Sequence, residues 1–104
     1  MKRTRIYIGH RRGNAAYAYK GYNWPIGHVR NIILSTLKNL GISGATLISA
    51  EGVWEGETED VTIIELLDNG GHNVLANILM KELQQDSVLL TSEDVLVEFI
   101  NQKP

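Results

Sequence analysis

The sequence predicts an α+β domain of the ferredoxin-like type, with a four-stranded antiparallel sheet and two helices on one of its faces. Two kinds of segment lead to this fold class, one rich in β-branched residues and one with apolar residues at helical spacing. They follow one another as strand, helix, strand, strand, helix, strand. With right-handed crossovers, this order is the split βαβ (βαββαβ) arrangement. The length of 104 residues fits one domain, which we expect to span residues 1–104.

The first strand and the first helix are separated by a long loop. Residues 4–9 (TRIYIG) alternate between apolar and polar side chains, which is typical of a strand. Pro25 suits the first position of a helix, and Gly41 suits its C-terminal cap. The stripe of this helix expected to be buried consists of Ile26, Val29, Ile33, Leu37 and Leu40. Residues 10–24 show no periodicity, which predicts a loop far longer than the usual ~2–6 residues.

A hairpin is predicted in the middle of the chain. Residues 45–54 (ATLISAEGVW) indicate the second strand, with Gly52 as the position of a bulge. Residues 55–60 (EGETED) are interpreted as a solvated acidic hairpin loop, and residues 61–67 (VTIIELL) as the third strand. The acidic loop lacks the alternating ligand spacing and the central glycine of a calcium site.

The last third of the chain predicts one more helix and one more strand. After a break at DNGG, a helix is expected from His72 to Gln85. Its core side consists of Leu75, Ile78, Leu79 and Leu83. Residues 87–100 indicate a strand in two pieces, because turn-type residues interrupt it at residues 92–94.

The composition excludes several classes of protein. The chain has no cysteine, so disulfide scaffolds and thiolate metal sites are excluded and a cytoplasmic protein is expected. No window approaches the ~20 apolar residues of a membrane span, and the N-terminus lacks the apolar core of a secretory signal. His10, His28 and His72 lack the spacing of a metal site. Each is interpreted as a surface or polar-contact residue, and neither a metal nor a cofactor is expected.

Charge is distributed unequally along the chain. Residues 1–50 hold eight basic residues and no acidic one, a net charge of +8. Residues 51–104 hold twelve acidic residues and two lysines, a net charge of −10. Such a division indicates a surface that binds a polyanion or a complementary copy of the chain. The alternative is that the two halves interleave in the fold and form a surface of mixed charge.

The stretch from residue 9 to residue 30 favours a flat, anionic ligand. Arginine binds phosphate through paired hydrogen bonds, and aromatic rings stack on a base. The candidate ligand-binding residues are Arg11, Arg12, Tyr17, Tyr19, Lys20, Tyr22, Trp24, His28 and Arg30. We therefore expect a nucleotide-like small molecule as the partner, ahead of nucleic acid. The alternatives are a solvated basic face with some aromatic rings in the core, and a short extra strand through Tyr17 and Tyr19.

Surplus apolar residues predict self-association. Ile32 and Leu34 widen the apolar surface of the first helix, and the sheet face opposite the helices is expected to be open. Trp54, at the end of the second strand, suits either core packing or a subunit contact, because tryptophan is enriched at the centres of interfaces. The candidate interface residues of a homo-oligomer, expected to be a trimer, are Ile32, Leu34 and Trp54.

Several short motifs resemble the PII-like and CutA-like group of small ferredoxin-like proteins. They are IYIG at residues 6–9, LGISGATLISAEGVW at residues 40–54, and the Trp54-Glu55-Gly56 triplet before an acidic turn. The resemblance implies a trimer that binds small ligands, often nucleotides, in clefts between subunits. The PII proteins carry a long loop between the second and third strands, whereas here that connection is short. The resemblance therefore implies no particular ligand.

Three functions follow from these observations. The leading one is a non-enzymatic oligomer that captures a nucleotide-like anion, either to regulate a partner or to sequester the ligand, as small phage proteins do against host defence. The alternative is an inhibitor of another protein that uses acidic residues 51–68 to mimic nucleic acid or block a basic site. The third is a phosphoesterase-type enzyme with His10 and His28 as acid–base groups, although the repeated His-x-Ser/Thr unit of such enzymes is missing.

Overall fold

The computed structural model describes residues 1–11 and 24–102, except for the side chain of Trp54. The elements are β1 (Lys2–Gly9), α1 (Ile26–Asn39), β2 (Thr46–Trp54), β3 (Glu57–Asp68), α2 (Asn73–Glu82) and β4 (Leu89–Asp94). Over these residues the strands form one antiparallel sheet in the order β2-β3-β1-β4. The predicted α+β ferredoxin-like fold is therefore confirmed.

The core lies between the sheet and the two helices. In β1 every second residue from Thr4 to Ile8 is buried, and Ile6 pairs with the buried Ile64 of β3. The apolar core consists of Ile6, Ile8, Val29, Ile33, Leu37, Ile64, Leu66, Leu75, Leu79 and Leu83. Alternate residues of a strand share a face, so both helices cover the face that carries these side chains.

The first helix is one residue shorter at its start than the sequence predicts. Pro25 is the N-cap residue rather than the first helical residue, with φ −57° and ψ 143°. Gly41 has the expected left-handed conformation, with φ +70°, and Ile42 N–H donates to the carbonyl of Leu37. Ile26 is 60% exposed because it lies in the first turn, beyond the edge of the core, so its predicted burial is wrong. Leu40 is exposed for the same reason at the other end.

The β2–β3 hairpin is longer and its loop is shorter than predicted. The turn consists only of Glu55 and Gly56, which have φ values of +50° and +77°. Residues 57–60 belong to β3, so the predicted acidic loop at 55–60 is wrong. A two-residue turn with two positive φ values matches the right-handed twist of the strands, which lets the pairing begin at once. The pairing continues without a break past Gly52, so the predicted bulge is also wrong.

The second helix and the last strand differ from their predicted limits. Helix α2 ends at Glu82 rather than at Gln85, because Gln84 adopts a positive φ of +52°. The turn-type residues at 92–94 do not interrupt β4, since they pair with residues 2–4 of β1. Pairing ends where β1 begins, and Val95 N–H donates to the carbonyl of Met1 at 2.9 Å. The predicted second piece of this strand, after residue 94, is therefore not part of the sheet.

No helix within the described parts of the chain is long and apolar enough to cross a membrane.

The predicted polar role of His72 is confirmed, since its Nε2 lies 2.8 Å from Asp68 Oδ2. Burial opposes ionisation of Asp68, but hydrogen bonds from the N–H of Gly70 and from His72 outweigh burial and lower the pKa of Asp68. The contact joins the end of β3 to the start of α2.

Candidate functional site

The predicted ligand-binding loop leaves the sheet at Arg11 and returns to the described part of the chain at Trp24. Five of the candidate residues lie outside the described residues, namely Arg12, Tyr17, Tyr19, Lys20 and Tyr22. The extra strand considered for Tyr17 and Tyr19 lies outside them as well. What the structure does define is the base of the loop, and the candidate site is built on that base.

His10 joins the two ends of the loop. Its N–H donates to the carbonyl of Asp60 at 2.9 Å, and its own carbonyl accepts from the N–H of Trp24 at 2.6 Å. The imidazole is 2% exposed, and 2.7 Å separate His10 Nε2 from Thr62 Oγ1. Burial lowers the pKa of His10 against the opposing effect of Asp60 and Glu59. His10 is therefore a buried polar-contact residue, and its side chain is not presented to solvent as the phosphoesterase hypothesis requires.

Trp24 is fixed by the end of α2. The indole N–H donates to the carbonyl of Leu83 at 2.8 Å, and the ring lies 4.5 Å from the ring of His28, centroid to centroid, at a tilt of 30°. Gln85 contributes a second contact, since its Nε2 donates to the carbonyl of Arg11 at 2.8 Å and to that of Leu83 at 3.1 Å. The C-terminal end of α2 thus holds both sides of the loop, a function that the sequence analysis did not assign to Gln85.

Two glutamates of β3 lie beside the start of the loop. Arg11 N–H donates to Glu59 Oε2 at 3.3 Å, and Arg11 Nη2 donates to Glu57 Oε2 at 3.0 Å. The Glu59 carboxylate lies over Gly9, where a Cβ would come within 2.7 Å of Glu59 Oε2. The sequence analysis placed both glutamates in a solvated loop. Their two-residue spacing from Val61 and Ile63 was the pattern that could have placed them in a strand.

Four of the remaining candidates lie on α1, and Trp54 lies at the end of β2. His28 and Arg30 are exposed in its first two turns, next to the return of the loop at Trp24. Ile32 is half-buried against the core and contributes to a groove with Ile78 of α2. Leu34 is 45% exposed and lies on the other side of the helix, near the start of β2. The backbone of Trp54 pairs with Glu57 at the end of the hairpin.

The two oppositely charged halves of the sequence interleave in the sheet. The basic side chains of β1 and its extension face acidic side chains of β3 and β4 on either side. The ion pairs are Lys2–Asp94, Arg3–Glu93, Arg5–Glu65 and Arg11–Glu57. The hydrogen bond from Lys2 lowers the pKa of Asp94. This arrangement matches the mixed-charge alternative rather than a basic surface on one half.

The described residues include no cluster of three or more histidine, cysteine, aspartate or glutamate side chains suited to holding a metal ion. The described residues at the base of the loop offer an aromatic pair (Trp24 and His28), an arginine held by Glu57 and the carboxylate of Glu59. These groups can stack on a flat ring, pair with an acidic group, and accept hydrogen bonds from a ligand or lie near its positive charge.

Comparison with known proteins gives a structural likeness. No family model matches the sequence, and no curated protein matches it. The fold resembles a phage SAM lyase in its apo state, with a TM-score of 0.62 and 19% identity over 88% of this chain and 78% of the lyase. It also resembles a phage SAM lyase in complex with S-methyl-5′-thioadenosine, with a TM-score of 0.63 and 22% identity over 89% of this chain and 80% of the lyase.

The likeness corrects one conclusion of the sequence analysis. A small domain without a recognisable catalytic motif was taken to be non-enzymatic, yet both of the solved structures reported above as similar to this fold are those of an enzyme. The absence of a motif therefore gave no ground for excluding catalysis. The resemblance to the PII-like and CutA-like group, and the trimer it implies, stay predictions.

Proposed function

We propose that this protein is a lyase that cleaves S-adenosylmethionine (SAM), or a closely related sulfonium nucleoside, and releases S-methyl-5′-thioadenosine. The proposal is carried by the likeness to the lyase that holds this thionucleoside, which extends over 89% of the chain. The composition of the loop gives independent support. Its tyrosines and tryptophan suit an adenine ring, and its basic residues suit the carboxylate of the substrate's amino-acid moiety.

The identity of the thionucleoside indicates which bond breaks. S-methyl-5′-thioadenosine is what remains of SAM when the bond between sulfur and the γ-carbon of the aminobutyrate moiety is cleaved. The sulfur keeps the electron pair and becomes a neutral thioether. The γ-carbon takes a new bond from the substrate's own carboxylate oxygen, giving a lactone, or the β-carbon loses a proton, giving an alkene. Neither route consumes water.

The charges of the substrate suggest what the protein contributes. In the lactone route, the positive sulfonium and the negative carboxylate are both neutralised as the reaction proceeds. Exclusion of water favours such a loss of opposite charges and keeps the reacting groups in the correct orientation. Among the described residues, His10 joins the two ends of the stretch between Arg11 and Trp24 and fixes them on the sheet.

We assign the residues at the base of the loop as follows. Trp24 and His28 form an aromatic pair on which an adenine ring can stack at its exposed edge. Arg11 is oriented by Glu57 and lies where the loop begins. Glu59 lies over Gly9 and accepts a hydrogen bond from the N–H of Arg11, a position from which it can also accept hydrogen bonds from a ribose or an ammonium group.

The test is incubation of the purified protein with SAM, followed by mass spectrometry of the products. We expect one S-methyl-5′-thioadenosine for each SAM consumed, with the four-carbon fragment appearing as a lactone or as an unsaturated amino acid. The two fragments are isomers of equal mass, so proton NMR, which detects the vinyl hydrogens of the alkene, distinguishes the two routes. Folded protein that neither consumes SAM nor binds S-methyl-5′-thioadenosine in a calorimetric titration would exclude the proposal.

Substitutions at the base of the loop locate the site. Trp24→Ala should weaken binding of S-methyl-5′-thioadenosine by roughly tenfold or more, the usual loss when a stacking residue is removed. Trp24→Phe keeps a ring and should lose less. Leu89→Ser changes an exposed residue of β4 and serves as the matched control. Equal affinity in all three folded variants would place the ligand elsewhere on the molecule.

The proposal also changes the expected effect in an infected cell. A sequestering protein acts in proportion to its amount, whereas one lyase molecule removes many molecules of its substrate. An anti-defence role, proposed here because the similar structures are phage proteins, would then consist of destroying SAM rather than storing it. Expression of the protein in bacteria should lower cellular SAM and raise S-methyl-5′-thioadenosine. Unchanged pools at high expression would argue against this role.

A further inference from the structure

The C-terminal end of α2 forms a motif that leaves one carbonyl for donors from outside the helix. Gln84 has a left-handed φ of +52°, and its N–H donates to the carbonyl of Lys81 at 3.2 Å. The N–H of Gln85 donates to the carbonyl of Met80 at 2.8 Å, which completes a Schellman motif. Neither bond uses the carbonyl of Leu83, a residue with 0% exposure. A buried carbonyl at a helix end needs a donor from elsewhere in the molecule.

Two side chains donate to the carbonyl of Leu83. Trp24 Nε1 donates to it at 2.8 Å, and Gln85 Nε2 donates to it at 3.1 Å. The same Gln85 nitrogen donates to the carbonyl of Arg11 at 2.8 Å. A carboxamide nitrogen carries two hydrogens, so one hydrogen can serve each carbonyl. The amide of Gln85 therefore links Arg11 to the carbonyl that holds the indole of Trp24.

This link joins the sheet to the helix layer. The N–H and the guanidinium of Arg11 are both bonded to β3, through Glu59 and Glu57. Those contacts fix Arg11 relative to the sheet, whereas the indole of Trp24 is fixed relative to the end of α2. The amide of Gln85 connects the two supports, so the separation of the arginine from the indole depends on it.

We propose that Gln85 is a positioning residue of the candidate site: by donating to the carbonyls of Arg11 and Leu83, it holds the arginine and the Trp24 ring at a separation that suits one ligand. Groups that are fixed before binding lose less conformational freedom when the ligand arrives. The inference rests on the proposed function and adds to it a residue that acts through Arg11 and Trp24.

The choice of ligand separates positioning from simple support of the fold. S-adenosylhomocysteine carries both an adenine ring and an amino-acid carboxylate, so it can contact Trp24 and Arg11 together. S-methyl-5′-thioadenosine lacks the amino-acid moiety and can use only the ring. A loss of alignment between the two protein groups therefore weakens binding of the first ligand more than that of the second.

Substitutions at Gln85 test this in calorimetric titrations with both ligands. Gln85→Met keeps the length of the side chain but removes its donor. We expect the dissociation constant of S-adenosylhomocysteine to rise about tenfold and that of S-methyl-5′-thioadenosine to rise less than about threefold. Gln85→Lys keeps a donor at a helix end that favours a cation, and it should restore most of the difference. Gln102→Met makes the same change at an exposed residue and should bind both ligands like the wild type.

NMR spectra without ligand give a second readout. The chain has two tryptophans, so protein labelled with ¹⁵N gives two indole N–H signals, and the spectrum of Trp24→Phe identifies the signal of Trp24. In Gln85→Met we expect this signal to shift, because the second donor to the carbonyl that the indole contacts is lost. The signal of Trp54 should stay in place. Gln85→Asn, whose amide is one methylene too short to reach both carbonyls, repeats both measurements with a polar side chain.

Circular dichroism checks that each variant is folded. An equal loss of affinity for both ligands, wild-type affinity in Gln85→Met and Gln85→Asn, or an unmoved Trp24 signal would each overturn the inference. A Gln85→Lys variant that binds no better than Gln85→Met would overturn it as well. Failure of the wild type itself to bind either ligand would instead count against the proposed function.

Discussion

At the scale of single residues, His10 determines how the long loop is attached. Histidines without metal spacing gave the sequence analysis no reason to choose between a surface position and a polar contact. The structure buries the imidazole against Thr62 and uses the backbone of the same residue to join both ends of the loop. His10 therefore has a structural role. Protonation of its buried imidazole would place a charge in a site that is poorly solvated, and this would destabilise the fold around it.

The burial of His10 predicts a loss of stability in mild acid. Its pKa is lower in the folded state than its ordinary value of 6.5, so the unfolded chain binds more protons. Stability from this group is complete above pH 6.5 and is lost as the pH falls below it toward the folded pKa. Urea unfolding at pH 7.5 and 5.5 should therefore show a lower free energy of unfolding at the lower pH.

A matched pair of variants assigns this effect. His10→Gln keeps a hydrogen-bonding side chain that does not titrate, so its stability should change less between these two pH values. His28→Gln changes an exposed histidine and should behave like the wild type. Asp68 and Asp94 do not interfere, because their lowered pKa values affect stability only as the pH falls through and below the ordinary value of 3.8. An unchanged pH dependence in His10→Gln would contradict the assignment.

At the scale of elements, the β2–β3 hairpin shows how a local turn places distant side chains. The two-residue turn at Glu55 and Gly56 sets the register in which Trp54 pairs with Glu57. This register continues along the whole hairpin and pairs Glu59 with Gly52. The pairing of β3 with β1 then brings Glu59 to the end of β1, where its carboxylate lies over Gly9. A turn of another length would shift every side chain of β3 relative to β2.

Glu55 is not the best residue for this turn, which gives a second prediction. Its φ of +50° is unfavourable for glutamate, whereas asparagine followed by glycine is the preferred pair for a turn of this kind. Glu55→Asn should raise the free energy of unfolding by about 0.5–1 kcal/mol. Gly56→Ala should lower it by about 1 kcal/mol, because alanine disfavours a positive φ. Urea denaturation measures both, with Glu51→Asn in the exposed part of β2 as the control. No gain from Glu55→Asn relative to that control would argue against a strained turn.

At the scale of the whole molecule, the charge asymmetry of the sequence is partly cancelled within the described sheet, where Lys2, Arg3, Arg5 and Arg11 each pair with a carboxylate. The basic first strand lies between two acidic strands, so its cations face carboxylates instead of solvent alone. Ion pairs this exposed contribute little to stability, with typical values of ~0–1 kcal/mol. Their main effect is on the electrostatic field, because a paired cation attracts a polyanion less than a free one does.

This cancellation predicts weak binding to nucleic acid. At about 150 mM salt and about 10 µM protein, we expect no complex with a short DNA duplex in a gel-shift experiment. Glu57→Gln/Glu65→Gln/Glu93→Gln removes the partners of three arginines and should bind the duplex measurably under the same conditions. Tight, salt-sensitive binding by the wild type would show that the basic residues act together as a surface after all.

The alternation of apolar residues in strands and their helical spacing determined the order of the elements and most of the core. Those patterns are local, since burial of one face requires every second residue in a strand and every third or fourth in a helix to be apolar. The sequence alone therefore identified Ile33, Leu37 and Leu79 as core residues. It also excluded disulfides, since the chain has no cysteine, whereas the flat, anionic ligand expected from the residue types stays a prediction.

Only the tertiary structure decided which strands meet, because pairing depends on residues far apart in the chain. It placed Glu57 and Glu59 beside Arg11, buried His10 against Thr62, and brought Gln85 to the base of the loop. It also showed that β4 ends where β1 begins, and that Leu96, Phe99 and Ile100 in the segment after β4 are exposed. No local pattern contains this information, since the length of one strand limits the pairing of another only after both are in the same sheet.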